Sequence, residues 1–169
     1  IIISFLFNQE IVDGKRGFGG TEQEWDFIEV RPGVHMFWWL YYVNPAGNHG
    51  NFDVYSKPLI IWLQGGPGYG SSGLGNFMEF GPLDTEGKHR DTTWVNDYNV
   101  LLIDAPAGAG FSHVDNPELF CTTDDMIITD ILSVINGFLE KFPKFQNVPT
   151  YIVGQSYGGK VTVRTAWAL

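Results

Sequence analysis

The segment Gly154-Gln155-Ser156-Tyr157-Gly158 sets a serine between two glycines. A hydroxyl is well placed for nucleophilic attack when a sharp strand-to-helix turn carries it. Such a turn lifts the side chain off the end of a sheet and offers the following backbone N–H to a developing oxyanion. The turn strains the backbone at the serine, and glycines on both sides remove side chains that would clash. The motif alone is weak, because a turn that binds nothing can carry it; its context is more specific. The β-branched run YIV precedes it and VTVRTAWAL, read as a helix despite its β-branched content, follows. A second cluster, Gln64-Gly65-Gly66-Pro67-Gly68, follows the apolar run PLIIWL. Paired glycines there would let a backbone N–H approach a substrate carbonyl, the usual second donor of an oxyanion hole. A tight loop without a ligand is the alternative.

A serine nucleophile needs a histidine base, and the base needs an orienting acid. When the nucleophile sits on such an elbow, the chain order is Ser, Asp, His. Here His35, His49, His89 and His113 all precede Ser156. His35 alternates within a strand, His49 and His89 fall in polar loops, and His113 follows GAGFS, so each reads as a surface or packing residue. Asp104 ends a strand near the expected catalytic edge. The base and its acid are expected in sequence outside these 169 residues.

The elements that must position these groups are readable from residue 25 onward. EWDFIEV and VHMFWWLYYV, separated by Arg31-Pro32-Gly33, form a hairpin pattern. Residues 44–58 are loop-like in composition. PLIIWLQ and VLLID are short continuous apolar runs, the mark of strands buried on both faces. GGPGYGSSGLGNF is too rich in glycine to predict a regular element. Over residues 122–142, Ile128, Ile131, Ile135, Phe138 and Phe142 share a helical stripe, widened by Ile127, Leu132 and Leu139. Thr122, three residues before Asp125, resembles a capping-box start, and Asp124 and Asp125 suit a first turn. The fold class is therefore α/β, a largely parallel sheet preceded by an antiparallel hairpin.

Composition narrows the partners. The formal net charge of −9, with no basic run beyond Lys15-Arg16, argues against nucleic acid. The lone Cys121 excludes an internal disulfide; it reads as a small buried residue or as half of a bridge to cysteine elsewhere. No CxxC or Cys/His ligand spacing supports zinc, so no metal or cofactor is expected. The apolar start IIISFLF is too short to span a bilayer, so no stable membrane insertion is expected. It reads as the tail of a signal-peptide apolar region, with a buried strand as the alternative. Residues 1–20 are thus a leader, and 21–169 the N-terminal part of one domain.

Three segments in order, WLQGGPGYGSSGLGNFMEFGPL, LLIDAPAGAGFS and YIVGQSYGGK, resemble successive signatures of the serine carboxypeptidases, and within them the animal branch. The resemblance implies an α/β-hydrolase fold, here ending after the elbow helix. It also implies release of C-terminal residues from peptides through an acyl-enzyme, a secreted or lysosomal setting and a preference for acid pH. Carried over by position, Ser156 is the nucleophile and the N–H groups of Gly66 and Tyr157 form the oxyanion hole. Trp62, Gln64, Gly65, Glu79 and Gln155 recognise the carboxylate of a peptide with a free C-terminus.

Three departures stand out. Gln64 replaces an asparagine, Gln155 replaces a glutamic acid, and Tyr69-Gly70 adds one residue beside the oxyanion loop, where the cysteine of many members is also missing. A protonated glutamic acid at 155 could donate to a substrate carboxylate and would repel it once ionised; a glutamine donates at any pH. These departures keep two alternatives open, a non-catalytic homologue and a carboxypeptidase-like acyltransferase. A sheet ending at the elbow helix would also leave an apolar edge uncovered, so the 169-residue chain alone is expected to be marginally stable or prone to aggregate. Oligomeric state is not legible.

Overall fold

The structure, a computed structural model, describes residues 15–16, 21–44 and 53–169. The expected leader, apart from the backbone of Lys15–Arg16, lies outside the described residues, as does His49.

One sheet contains β1 (Lys15–Arg16), β2 (Glu22–Arg31), β3 (Val34–Tyr41), β4 (Leu59–Leu63), β5 (Asn99–Ile103), β6 (His113–Val114) and β7 (Thr150–Gly154). Its order is β1-β2-β3-β5-β4-β7, with β6 beside β3. The expected hairpin is β2–β3, and Gly33 supplies the positive φ of 74° that its turn requires. Aromatic side chains fix its register: Trp25 faces Trp39 and Phe27 faces Phe37, with ring centroids 6.3 and 5.2 Å apart. β5 and β7 both run parallel to β4, whereas β3 pairs antiparallel with β5. The sheet is therefore mixed. Its antiparallel part extends beyond the expected hairpin because β3 joins the parallel strands directly.

Every residue of β4 and β5 is buried, as their unbroken apolar runs require. Alternate side chains serve opposite faces. Ile61, Leu63, Leu101 and Ile103 pack beneath helix α1 (Asp124–Lys141), while Trp62, Val100 and Leu102 join Tyr41, Phe80 and Val95 on the other side. The predicted stripe of α1 is its buried face, with Phe138 fully buried and its ring 5.3 Å from that of Trp38. The helix starts one residue later than the capping pattern suggests. Thr123 is the cap, because its extended backbone lets Oγ1 accept from Met126 N at 3.3 Å.

Asp130 lies within the buried stripe, where the hydrophobic period gives no sign of it. Arg31, from the end of β2, holds it through Nε–Oδ1 and Nη2–Oδ2 contacts of 2.8 and 3.0 Å. Cys121 is a free, half-buried thiol that donates to Asp130 Oδ2 at 3.2 Å, and burial pushes its pKa up.

The glycine-rich stretch corrects the sequence expectation. Ser71–Phe80 form a helix of π pitch, closed where Gly81 N donates to Asn76 O, five residues back, at 2.9 Å. Packing outweighs the poor propensity of its glycines. A Cβ on Gly75 would lie 2.5 Å from Trp62 Nε1 and 2.9 Å from Gln64 Oε1, so glycine is what lets this helix lie directly on the end of β4. That contact brings Glu79 to the site.

Helix α2 (Tyr157–Ala168) follows β7 as predicted. Among the described residues β7 pairs only with β4, and Tyr151 and Trp167 are 58% and 92% exposed. No helix among the described residues is long and apolar enough to cross a membrane.

Candidate active site

Ligands of open α/β sheets bind beyond the carboxyl ends of parallel strands, and the sequence motifs meet there at the ends of β4 and β7. Ser156 has φ 55° and ψ −121°, the one positive φ outside glycine among the described residues. Such a conformation costs about 1–3 kcal/mol and persists only when its surroundings hold it. Here Gln155 N donates to Leu63 O at 3.2 Å, Gly158 N to Gln155 O at 2.8 Å and Gly159 N to Ser156 O at 3.0 Å. A Cβ on Gly158 would lie 2.1 Å from Leu63 O, so the start of α2 reaches β4 only because that residue is glycine. The Ser156 side chain caps no helix N–H and is exposed.

The loop after β4 abuts this elbow. A Cβ on Gly65 would sit 3.0 Å from Ser156 Cβ and 3.4 Å from Tyr157 N. The N–H groups of Gly66 and Tyr157 donate to no other group among the described residues. Tyr69 N donates to Gly65 O at 3.3 Å, and its side chain is 60% exposed.

Four of the sequence-predicted recognition residues form one connected network. Trp62 Nε1 donates to Gln64 Oε1 at 2.7 Å, and Gln64 Nε2 donates both to Gln155 Oε1 at 2.8 Å and to Glu79 Oε1 at 3.2 Å. The Gln64 amide is thereby fully engaged. The two N–H bonds of Gln155 have no acceptor among the described residues, and Gln155 is exposed beside Ser156.

The supports of this site include motif residues to which the sequence assigns no role. Ser71 Oγ donates to Ile103 O at 2.7 Å and accepts from Gln64 N at 3.1 Å. Ser72 donates to the buried Asp104 through N and Oγ, at 2.8 and 2.6 Å. Asp104 also accepts from Phe111 N at 2.9 Å, and burial holds its carboxyl above the usual range despite these donors. The signal available in the sequence is Ser71-Ser72 just inside a glycine loop, where hydroxyls bridge buried backbone. At the elbow, the Tyr157 hydroxyl donates to Asp124 Oδ1, which raises the tyrosine pKa, and Lys160 Nζ lies 2.6 Å from Asp124 Oδ2. The first turn of α1 thus anchors the first turn of α2.

The described histidines do not join Ser156. His35 and His113 lie on β3 and β6, and β3 is three strand spacings from β7, roughly 14 Å. His89 pairs with Leu83 in a separate bridge.

The family model described as serine carboxypeptidase matches residues 15–166. The chain is 44% identical over 165 residues to the retinoid-inducible serine carboxypeptidase of Mus musculus, covering 95% of this chain and 35% of that protein. It is 40% identical over 146 residues to serine carboxypeptidase-like 51 of Arabidopsis thaliana, covering 84% of this chain and 31% of that one. A solved prohormone-processing carboxypeptidase of Saccharomyces cerevisiae superposes with a TM-score of 0.72 at 24% identity, over 88% of this chain and 34% of its own. The likeness to that structure shows the α/β-hydrolase fold. The chain spans about a third of the length of the curated relatives it matches. With the motifs in order and the fold in agreement, the chain belongs to the serine carboxypeptidase family.

Proposed function

We propose that this chain supplies the nucleophile, the oxyanion hole and the carboxylate-recognition network of a serine-type carboxypeptidase. The observation that carries the reading is the hydrogen-bonded set Trp62, Gln64, Glu79 and Gln155 lying directly beside a serine held at positive φ. A peptide whose terminal carboxylate accepts from Gln155 Nε2 has its last amide bond one residue away, over Ser156. Ser156 Oγ attacks that carbonyl, and the N–H groups of Gly66 and Tyr157 receive the oxyanion. The hydroxyl proton passes to a histidine base and from it to the departing amine; water then cleaves the acyl-enzyme. The histidine and its orienting acid are assigned to sequence after Leu169, in the chain order of this fold. A secreted or lysosomal setting belongs to the same proposal.

The test uses the full-length protein with matched peptides bearing a free or an amidated C-terminus. The expected outcome is release of the C-terminal amino acid from the free peptide only. Equal cleavage of both would sink the carboxylate assignment. Transfer of the acyl group to an added alcohol or amine, without free acid as product, would favour the acyltransferase alternative.

A further inference from the structure

Ligand-type side chains outside the serine elbow gather where β6 meets β3. β3 and β6 pair antiparallel with His35 directly opposite His113. Side chains of directly opposed residues share a face, and Asp115, two residues beyond His113, returns to it. Asp115 N donates to Gly33 O at 2.9 Å, which keeps that residue in the same register. The imidazoles stack with centroids 4.8 Å apart and planes 21° from parallel, and His35 Nε2 lies 3.4 Å from Asp115 Oδ1. One ring nitrogen of each histidine and a carboxylate oxygen of Asp115 fall within 4.8 Å of one another.

We propose that His35, His113 and Asp115 form a surface site for a divalent transition-metal ion of the zinc class. Two imidazoles and one carboxylate are ligands such ions prefer, and three protein ligands leave a coordination position for water. Ligand atoms around a tetrahedral zinc with bonds of about 2.0–2.1 Å lie roughly 3.4 Å apart. The His35–Asp115 pair already has that spacing, and the His113 ligand atom lies within 4.8 Å of both. A second contact favours ligation: His113 Nδ1 is 3.4 Å from Phe111 O. A proton donated there leaves Nε2 with the lone pair, the arrangement typical of metal-bound histidine. His35 and His113 are far apart in sequence, so ligand spacing could not reveal them; the cross-strand pairing does.

The ion would clamp the two-residue β6 to β3 and so tether one end of the 104–114 segment. The same segment is held at Asp104 to Ser72, at the start of the Ser71–Phe80 helix. The site is separate from Ser156, and its occupancy is measurable without any catalytic assay.

The experiment titrates Zn²⁺ alone into the full-length protein, free of any histidine tag, by calorimetry, beside His113→Ala and Asp115→Asn. Co²⁺ substitution gives an independent spectroscopic reading of nitrogen and oxygen ligation. Both variants change exposed side chains, and circular dichroism establishes that each is folded. The expected result is one bound ion per chain and a loss of affinity of roughly tenfold or more in each variant. Absence of wild-type binding up to about 100 µM Zn²⁺, a binding free energy weaker than roughly −5.5 kcal/mol, overturns the proposal. So does a loss smaller than tenfold in either folded variant.

Discussion

Gln155 stands where the resemblance leads to an expected glutamic acid, and an amide there has a physical consequence. Its Oε1 is occupied by Gln64 and its N–H groups remain as donors beside Ser156. An amide donates to a carboxylate at every pH, whereas a carboxyl at the same place donates only while protonated. Two unit charges about 4 Å apart in a water-exposed site repel by about 1 kcal/mol, roughly fivefold in an equilibrium constant. For the full-length protein under the proposed function, KM of the wild type is therefore expected to rise less between pH 5 and pH 7 than that of Gln155→Glu, by about that factor. Equal weakening of both proteins over this interval would show that residue 155 does not face the substrate carboxylate. Ser156 and Gln155 are both visible in the sequence because a five-residue motif fixes their relation. Gln64 and Glu79 are grouped by the resemblance alone; the helix that brings them into contact is not legible in the residues.

That helix, Ser71–Phe80, shows why part of the site was hidden. Glycine content argues against a regular element when propensity is considered alone. In the folded chain, Gly75 is the condition for close approach to Trp62 and Gln64, so the same residues that weaken the helix in isolation allow it to pack. The strands were legible because β4 and β5 are buried on both faces and leave unbroken apolar runs. The α1 stripe was legible for the equivalent helical reason, yet its period could not reveal Asp130. Arg31 and Asp130 are distant in sequence and become partners only when α1 packs against the hairpin. Removing one member leaves the other carboxylate, 1% exposed, without its cation. Arg31→Ala should therefore destabilise the protein by about 3 kcal/mol, the low end for a broken buried pair because Arg31 itself keeps contact with solvent. Urea denaturation of the wild type and variant measures it; a difference below about 1 kcal/mol would place the pair among ordinary surface contacts.

For the whole molecule, the sheet offers β7 and α2 to solvent with Tyr151, Val163, Trp167 and Leu169 all more than half exposed. Unpaired backbone along an edge strand, next to exposed apolar side chains, is a template for association. The 169-residue chain expressed alone is expected to self-associate in light scattering. A soluble monomer with a two-state melt and slowly exchanging amides at residues 151–153 would contradict that. The proposed function makes a stronger demand at the ends of β4 and β7, because the backbone strain at Ser156 and the proposed oxyanion and carboxylate donors converge on one hydroxyl. The most direct measurement is labelling of the full-length protein by a fluorophosphonate, read by intact mass and peptide mapping, beside Ser156→Ala. One adduct per chain is expected, located on Ser156 and absent from the variant. No adduct on a folded wild type, or an adduct that persists in Ser156→Ala, would contradict it.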